Sequence, residues 1–345
     1  MNSRPSPSPP TCLALTMGDP SGIGPEICVK VLNNLPISED VALTIVGDMS
    51  VLCATADKLN ESTDWSCTDA VLDEPGKAAV LDLDNVQDEL PAVPQPTADG
   101  GRASLDYIER AVREIQREEA DGLVTSPISK EAIGAAGSHF PGHTEMLGAL
   151  TDVERPVMLL QNESLRVAFA TTHVAIRDVA DQLSTELITH TGVALANSLR
   201  CDFGYADPVI ALCALNPHSG DGGRFGDEES RVIDPAAQHI SQQGFRVEGP
   251  LPSDTLYVRA INDEFDGVVA MYHDQGMIPI KLSGVGNVVN ITLGLPFVRT
   301  SPGHGTAYDI AGQGKADVSS TAAAIRTAEA MVRTRKQHGQ ADCDR

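Results

Sequence analysis

Short apolar runs alternate with amphipathic helical patterns along almost the whole chain, and this alternation restricts the fold more than any other feature. Residues 13–16 read as a first strand. Residues 25–32 follow as a helix, with proline in the opening turn, where a missing N–H costs nothing. Residues 41–48 read as a second strand ending at Gly47-Asp48, and 50–58 as a weak helix. Residues 103–119 present Leu105, Ile108, Ala111, Val112 and Ile115 on one side of a helix. "DGLVTSPISK" runs from strand to loop, and "KEAIGAAG" reads as a helix closed by glycine. "RPVMLL" and "RVAFATTHV" form a strand pair, 183–199 a helix, and "DPVIALCALNPHSGDGG" a buried strand entering a glycine-rich loop. Residues 227–243 and 316–335 are helical, and "NVVNITLGLP" is a strand. The Asp- and Pro-rich segment 61–100 reads as irregular. Such β/α alternation predicts a mostly parallel sheet with helices on both faces. With no internal repeat and no low-complexity linker, it predicts two α/β/α lobes around a cleft rather than separate beads.

With 345 residues and 41% hydrophobic content, the chain has enough apolar surface for one large domain or two ordinary ones. The net charge of −23 excludes nucleic acid and anionic membrane surfaces as expected partners, because Lys and Arg drive phosphate binding. Any anionic substrate must therefore meet a local cluster of basic groups. Seven cysteines without a C-x-x-C pair point to reduced, mainly structural thiols and a cytoplasmic location. No apolar stretch approaches the about 20 residues that a membrane span needs. Residues 1–10 and 338–345 read as disordered tails.

Three apolar strands each deliver a histidine beyond their ends. "AFATTHVAI" carries His173, "ALCALNPHSG" carries His218, and "VVAMYHDQG" carries His273. In a parallel sheet such carboxyl ends lie along one edge, where open α/β sheets bind ligands. Three converging imidazoles suit a divalent ion with positions left for substrate or water. Each histidine taken singly reads equally as a hydrogen-bonded structural residue; the repetition is what points to a shared ligand.

Other segments suit an anion. His143 and Thr144 in "GHT" precede a short helical run, Lys281 follows "MIPI", Arg299 follows "GLPFV", and Asn290 lies in the strand before it. Cations in apolar segments of an acidic chain invite a ligand or a local ion pair. "GDPSGIGPE" contains G-x-G but not the full dinucleotide fingerprint.

Together "LTMGDPSGIGPEI", "TSPISKEAI", "FPGHTEML", "NPHSGDGGRFGDEE", "GPLPSDTLY", "YHDQGMIPIKL" and "VNITLGLPFVRTSPGHGTAYDIAGQGKAD" resemble the 4-hydroxythreonine-4-phosphate dehydrogenases of vitamin B6 biosynthesis, from about residue 13 to 335. The resemblance implies a fold like the isocitrate and isopropylmalate dehydrogenases. Residues 11–127 with 300–337 would form a cofactor-side lobe, and 128–299 a central lobe bearing the metal ligands and a homodimer interface. It implies that His173, His218 and His273 bind one divalent ion (zinc, magnesium, cobalt or manganese) in a site shared between subunits. It implies His143, Thr144, Lys281, Asn290 and Arg299 as substrate-binding residues, with the two cations holding phosphate and carboxylate.

"HGTAYDIAG" is similar to the loop of isopropylmalate dehydrogenases that wraps the adenosine half of NAD. That likeness implies His304, Gly305, Thr306, Ala307 and Asp309 as cofactor residues, with Asp309 accepting from ribose hydroxyls and so favouring NAD over NADP. The implied reaction is NAD-dependent oxidation of 4-phosphooxy-L-threonine, then decarboxylation to 3-amino-2-oxopropyl phosphate. Asp254 in "PSDT" and Asp274 beside His273 are the candidate proton carriers; both also suit loop or cap roles. "GMIPIKL" and "RTSPGHGTAYDIAG" also resemble a paralogous group acting on D-threonate or D-erythronate 4-phosphate, which remains the alternative.

Overall fold

A computed structural model describes residues 9–86, 90–284 and 288–338. Most of the two expected tails, residues 1–8 and 339–345, lies outside the described residues, as does Cys343. In chain order the strands are β1 (Thr11–Thr16), β2 (Val41–Gly47), β3 (Ser66–Thr68), β4 (Lys77–Asp82), β5 (Gly122–Thr125), β6 (Val157–Gln161), β7 (Arg166–Phe169), β8 (Val209–Cys213), β9 (Arg246–Leu251), β10 (Gly267–Ala270), β11 (Val289–Leu293) and β12 (Val298–Pro302). The chain divides into two compact units: residues up to Leu150 with Phe297–Val332, and Thr151–Pro296 with the residues after 332.

The first unit holds strands in the order β3-β4-β2-β1-β5-β12, each neighbouring pair parallel. β2 is buried along its whole length, which is why it reads as a continuous apolar run. The segment expected to be irregular contains β3 and β4, and the helix expected at 103 begins at Ala98. Thr97 caps that helix by accepting from Gly100 N at 3.0 Å. Gly101 lets it approach its neighbour: a Cβ there would sit 2.0 Å from the Ala132 carbonyl oxygen.

The second unit holds β11-β6-β7-β10-β8-β9. The expected mostly parallel pairing holds, with two antiparallel exceptions in this unit. β11–β6 and β6–β7 are antiparallel, and only β7, β10, β8 and β9 run parallel. β6 and β7 form a hairpin whose connection is closed by Asn162, Oδ1 accepting from Ser164 N and Leu165 N at 2.8 Å each. Val167, Phe169, Cys213, Val268, Ala270, Leu256 and Ile280 join in one core cluster, so two helices pack on the strands beside the histidines. Those helices, Ser253–Ile261 and His273–Ser283, do not show in the sequence pattern, and neither does β9. Pro279 lies inside the second of them.

Candidate active site

In the second unit β7, β10 and β8 are parallel neighbours, with β10 in the middle. The segments bearing His173, His273 and His218 therefore leave one sheet edge. His273 opens the helix His273–Ser283 after Tyr272, which has extended backbone. That helix can lie close to β7 because residue 276 is glycine; a Cβ there would meet Phe169 Cε1 at 2.6 Å and Val167 Cγ1 at 2.7 Å. The His273 ring lies 6.4 Å from Phe169 and 6.3 Å from the His173 ring, centroid to centroid. His273 Nδ1 pairs with Asp274 Oδ1 at 2.6 Å, which leaves Nε2 for another ligand. Histidines that bind metal use this carboxylate–imidazole arrangement. The two rings, with Thr172, Tyr272 and Asp274, border a cavity of about 310 Å³.

His218 lies on a separate loop that follows β8. It begins a stretch, His218–Gly222, in which five successive residues have φ between 44° and 78°. The loop before it is held by Glu229, which is 5% exposed and accepts from Leu215 N (2.9 Å), Asn216 N (2.7 Å) and Asn216 Nδ2 (3.0 Å). The His218 ring lies 6.5 Å from Phe225. Among the described residues no three His, Cys, Asp or Glu side chains form a metal-holding group within one chain. His173 and His273 fit two ligands of a divalent ion; the expected third is on a separate loop of the same chain.

Asp254 is exposed in the first turn of Ser253–Ile261, and Asp274 is exposed in the first turn of the next helix. Lys281 is exposed near the end of His273–Ser283. Asn290 lies in β11, where its Oδ1 is sealed from water and has no hydrogen-bond partner.

In the first unit Arg299, on β12, is 2% exposed and its Nη2 donates to Thr125 Oγ1 at 2.6 Å, at the end of β5. Burial lowers the guanidinium from 12.5 to about 9, so it remains a cation at neutral pH. His143 starts the helix His143–Leu150, followed by half-buried Thr144. Its Nε2 is closed off from water and unpartnered. Burial first, and the positive charge of Arg299 second, hold this imidazole well below its usual range, so it is neutral. A buried cation beside a neutral imidazole with an open nitrogen is built to receive an anion and one further hydrogen bond.

The loop 304–309 is tied to "GDPSGIGPE". Ile23 N donates to Thr306 O (2.9 Å), and Tyr308 donates its hydroxyl to Asp19 Oδ2 (2.6 Å). Asp19 is fully buried; burial raises its carboxyl, partly offset by Tyr308 and by Ser21 N, which donates to Oδ1 at 2.8 Å. Gly22 is needed for this approach, since a Cβ there would lie 3.0 Å from the Thr306 carbonyl oxygen. Ala307 takes a positive φ of 42° within the loop, and Gly305 and Asp309 face solvent. His304 places Nδ1 3.1 Å from Gly305 O, and its Nε2 is sealed without a partner. The acidic residues Asp19, Glu26 and Glu229 and the hydroxyl of Tyr308 carry much of this geometry, yet sequence spacing gave no sign of them. Their partners lie as much as 290 residues away.

A family model described as pyridoxal phosphate biosynthetic protein PdxA matches residues 39–328. The chain is 40% identical over 335 residues to a 4-hydroxythreonine-4-phosphate dehydrogenase of Marinobacter nauticus, covering 96% of this chain and 98% of that one. It is 39% identical over 320 residues to a D-threonate 4-phosphate dehydrogenase of Salmonella typhimurium, covering 92% and 97%. The crystal structure of a 4-hydroxythreonine-4-phosphate dehydrogenase from Klebsiella pneumoniae matches with a TM-score of 0.84 at 37% identity, covering 94% and 98%. On these matches, spread over nearly the whole length, the chain belongs to the pyridoxal phosphate biosynthetic protein PdxA family of dehydrogenases.

Proposed function

We propose that the chain oxidises 4-phosphooxy-L-threonine with NAD and decarboxylates the product to 3-amino-2-oxopropyl phosphate, a step toward pyridoxal 5'-phosphate. The observation that carries this reading is Arg299, fully buried and cationic beside the neutral His143 and hydrogen-bonded to Thr125. In a chain of net charge −23, such a buried cation suits a phosphate.

When bound, the nicotinamide supplies the hydride acceptor and a divalent ion supplies polarisation of the substrate oxygen. Arg299 and Thr144 hold the phosphate, and His143 donates or accepts at Nε2 without adding charge. Lys281 and Asn290 take the carboxylate end. Asp309 accepts from ribose hydroxyls, with Thr306 and Tyr308 fixing its loop. Asp254 or Asp274 takes the hydroxyl proton during oxidation and returns one to carbon after CO2 leaves. His173, His273 and His218 hold the ion, with Asp274 orienting His273. In this reading the trio is completed across a homodimer, because among the described residues of one chain no three such side chains form a metal-holding group. Ile176, Phe225, Val258, Ile261, Ile278 and Leu282, all in the second unit, are exposed apolar side chains of the kind a partner copy covers.

A second reading, D-threonate or D-erythronate 4-phosphate as substrate, is favoured by the comparable identity to the Salmonella typhimurium enzyme. It keeps every residue named above. The deciding measurement is NADH formation by the purified protein with each phosphate, with and without chelator. Turnover of 4-phosphooxy-L-threonine that chelator abolishes supports the first reading; turnover of the threonate alone replaces it with the second. No NADH from either substrate refutes both.

A further inference from the structure

Sheet pairing stops short of the chemistry. The backbone ladder ends at Ala270–Phe169 on one side of β10 and at Val269–Leu212 on the other. Past those points, one run of hydrogen bonds links the segments that carry His173, His273, His218 and Asp254. Met271 lies two residues before His273, and its carbonyl accepts from Thr171 Oγ1 (2.7 Å) and Thr171 N (3.3 Å). Thr171 is itself two residues before His173. Met271 N donates to Gln275 Oε1 at 2.6 Å. Gln275 Nε2 donates to Ala214 O (2.7 Å), four residues before His218, and to Ser253 Oγ (2.8 Å), the neighbour of Asp254. Ser253 Oγ also donates to Ala214 O at 3.4 Å.

The first of these bonds is ordinary for a helix opening. The other two are not, because they leave the helix for two different segments and use both N–H groups of the amide. Thr171, Ala214 and Met271 are 6%, 2% and 0% exposed, so water cannot substitute for a lost partner. Glutamate at this position has the same shape but cannot donate to Ala214 O, and it sets a carboxylate against a carbonyl oxygen. Asparagine is one methylene too short to span the same gap.

We infer that Gln275 is a positioning residue that sets the spacing of these four segments, acting with Thr171 through the backbone N–H and C=O of Met271, which lie in successive peptide groups. The inference rests on reading the three histidines as metal ligands. It adds that their alignment depends on a neutral amide that touches neither metal nor substrate.

The test uses the full chain, Co2+ alone as probe, and the near-isosteric variants Gln275→Glu and Thr171→Val alongside Gln275→Leu. Calorimetry gives Co2+ affinity, the visible bands of Co2+ report its coordination geometry, and thermal melting checks the fold. In Gln275→Glu the expected result is affinity reduced about 10- to 100-fold with altered bands. Turnover should fall through kcat more than through KM. Thr171→Val with Gln275→Leu should lose less than the product of the single losses, because the two residues share one network. Thr171→Ser, which keeps the hydroxyl, should bind Co2+ as wild type does. Wild-type affinity and bands in Gln275→Glu would overturn the inference while leaving the metal reading intact. A wild-type protein that takes up no Co2+ would overturn both.

Discussion

Glu26 and Lys30, one helical turn apart, form an ion pair at 2.9 Å, and further hydrogen bonds from both run to a single distant loop. Glu26 Oε1 accepts from Ala316 N (2.7 Å) and Oε2 from Gly314 N (3.2 Å). Lys30 Nζ donates to the carbonyls of Gly314 (3.0 Å) and Ala316 (2.6 Å). With Glu26 at 1% exposure, Glu26→Gln leaves the ammonium and the loop amides without their anion. The variant should lose about 2–4 kcal/mol of stability. NADH affinity should drop with it. Urea unfolding and NADH fluorescence titration read the two effects, and unchanged NADH binding would separate this clamp from the cofactor loop.

Arg299→Ala should raise the Michaelis constant for the phosphorylated substrate by about 100-fold or more, since a charge-assisted pair with phosphate is lost. Arg299→Lys should recover only part of it, because an ammonium cannot reproduce the planar fork that also reaches Thr125. Steady-state kinetics with varied substrate check both, and a Michaelis constant left in place would remove Arg299 from phosphate binding.

His143 makes stability depend on pH. Its folded-state imidazole is held well below 6.5 by burial and by Arg299, while the unfolded imidazole titrates in the ordinary histidine range. Below that value the unfolded chain therefore binds a proton that the native chain refuses, so the native state loses ground as pH falls. The stabilisation is complete above 6.5 and is progressively lost below it, down to the depressed folded value. In His143→Gln the urea midpoint should change less than in wild type between about pH 7 and about pH 5. Equal slopes in the two proteins would refute the buried neutral state.

Ile278 and Leu282 are 56% and 78% exposed on the helix that begins with His273. On the proposed homodimer, Leu282→Asp with Ile278→Asp should give a monomer in sedimentation analysis and abolish turnover. Thermal unfolding of the monomer should still show a folded chain. A dimer that survives both charges would place the interface elsewhere.

Legibility followed burial. β1, β2, β8 and β10 are almost entirely buried, and buried parallel strands read as apolar runs whatever surrounds them. β3 and β9 end their sheet orders and are exposed or half-buried, so their sequences, SCT and RVEGPL, carry no such run. The helix at His273–Ser283 was hidden by Gly276 and Pro279, both poor helix formers. Gly276 is there for the Phe169 contact, a reason visible only once β7 lies beside it. The same limit applied to the site. His173, His218 and His273 announce themselves by type and position, whereas Gln275 and Glu229 look like ordinary surface polar residues until their distant partners are known.

The left-handed run from His218 to Gly222 has a practical consequence for anyone reshaping this catalyst. Backbone of that hand accepts glycine, asparagine, aspartate and histidine readily and rejects β-branched or bulky side chains. Randomised libraries across the run will therefore return a narrow alphabet whatever the selection.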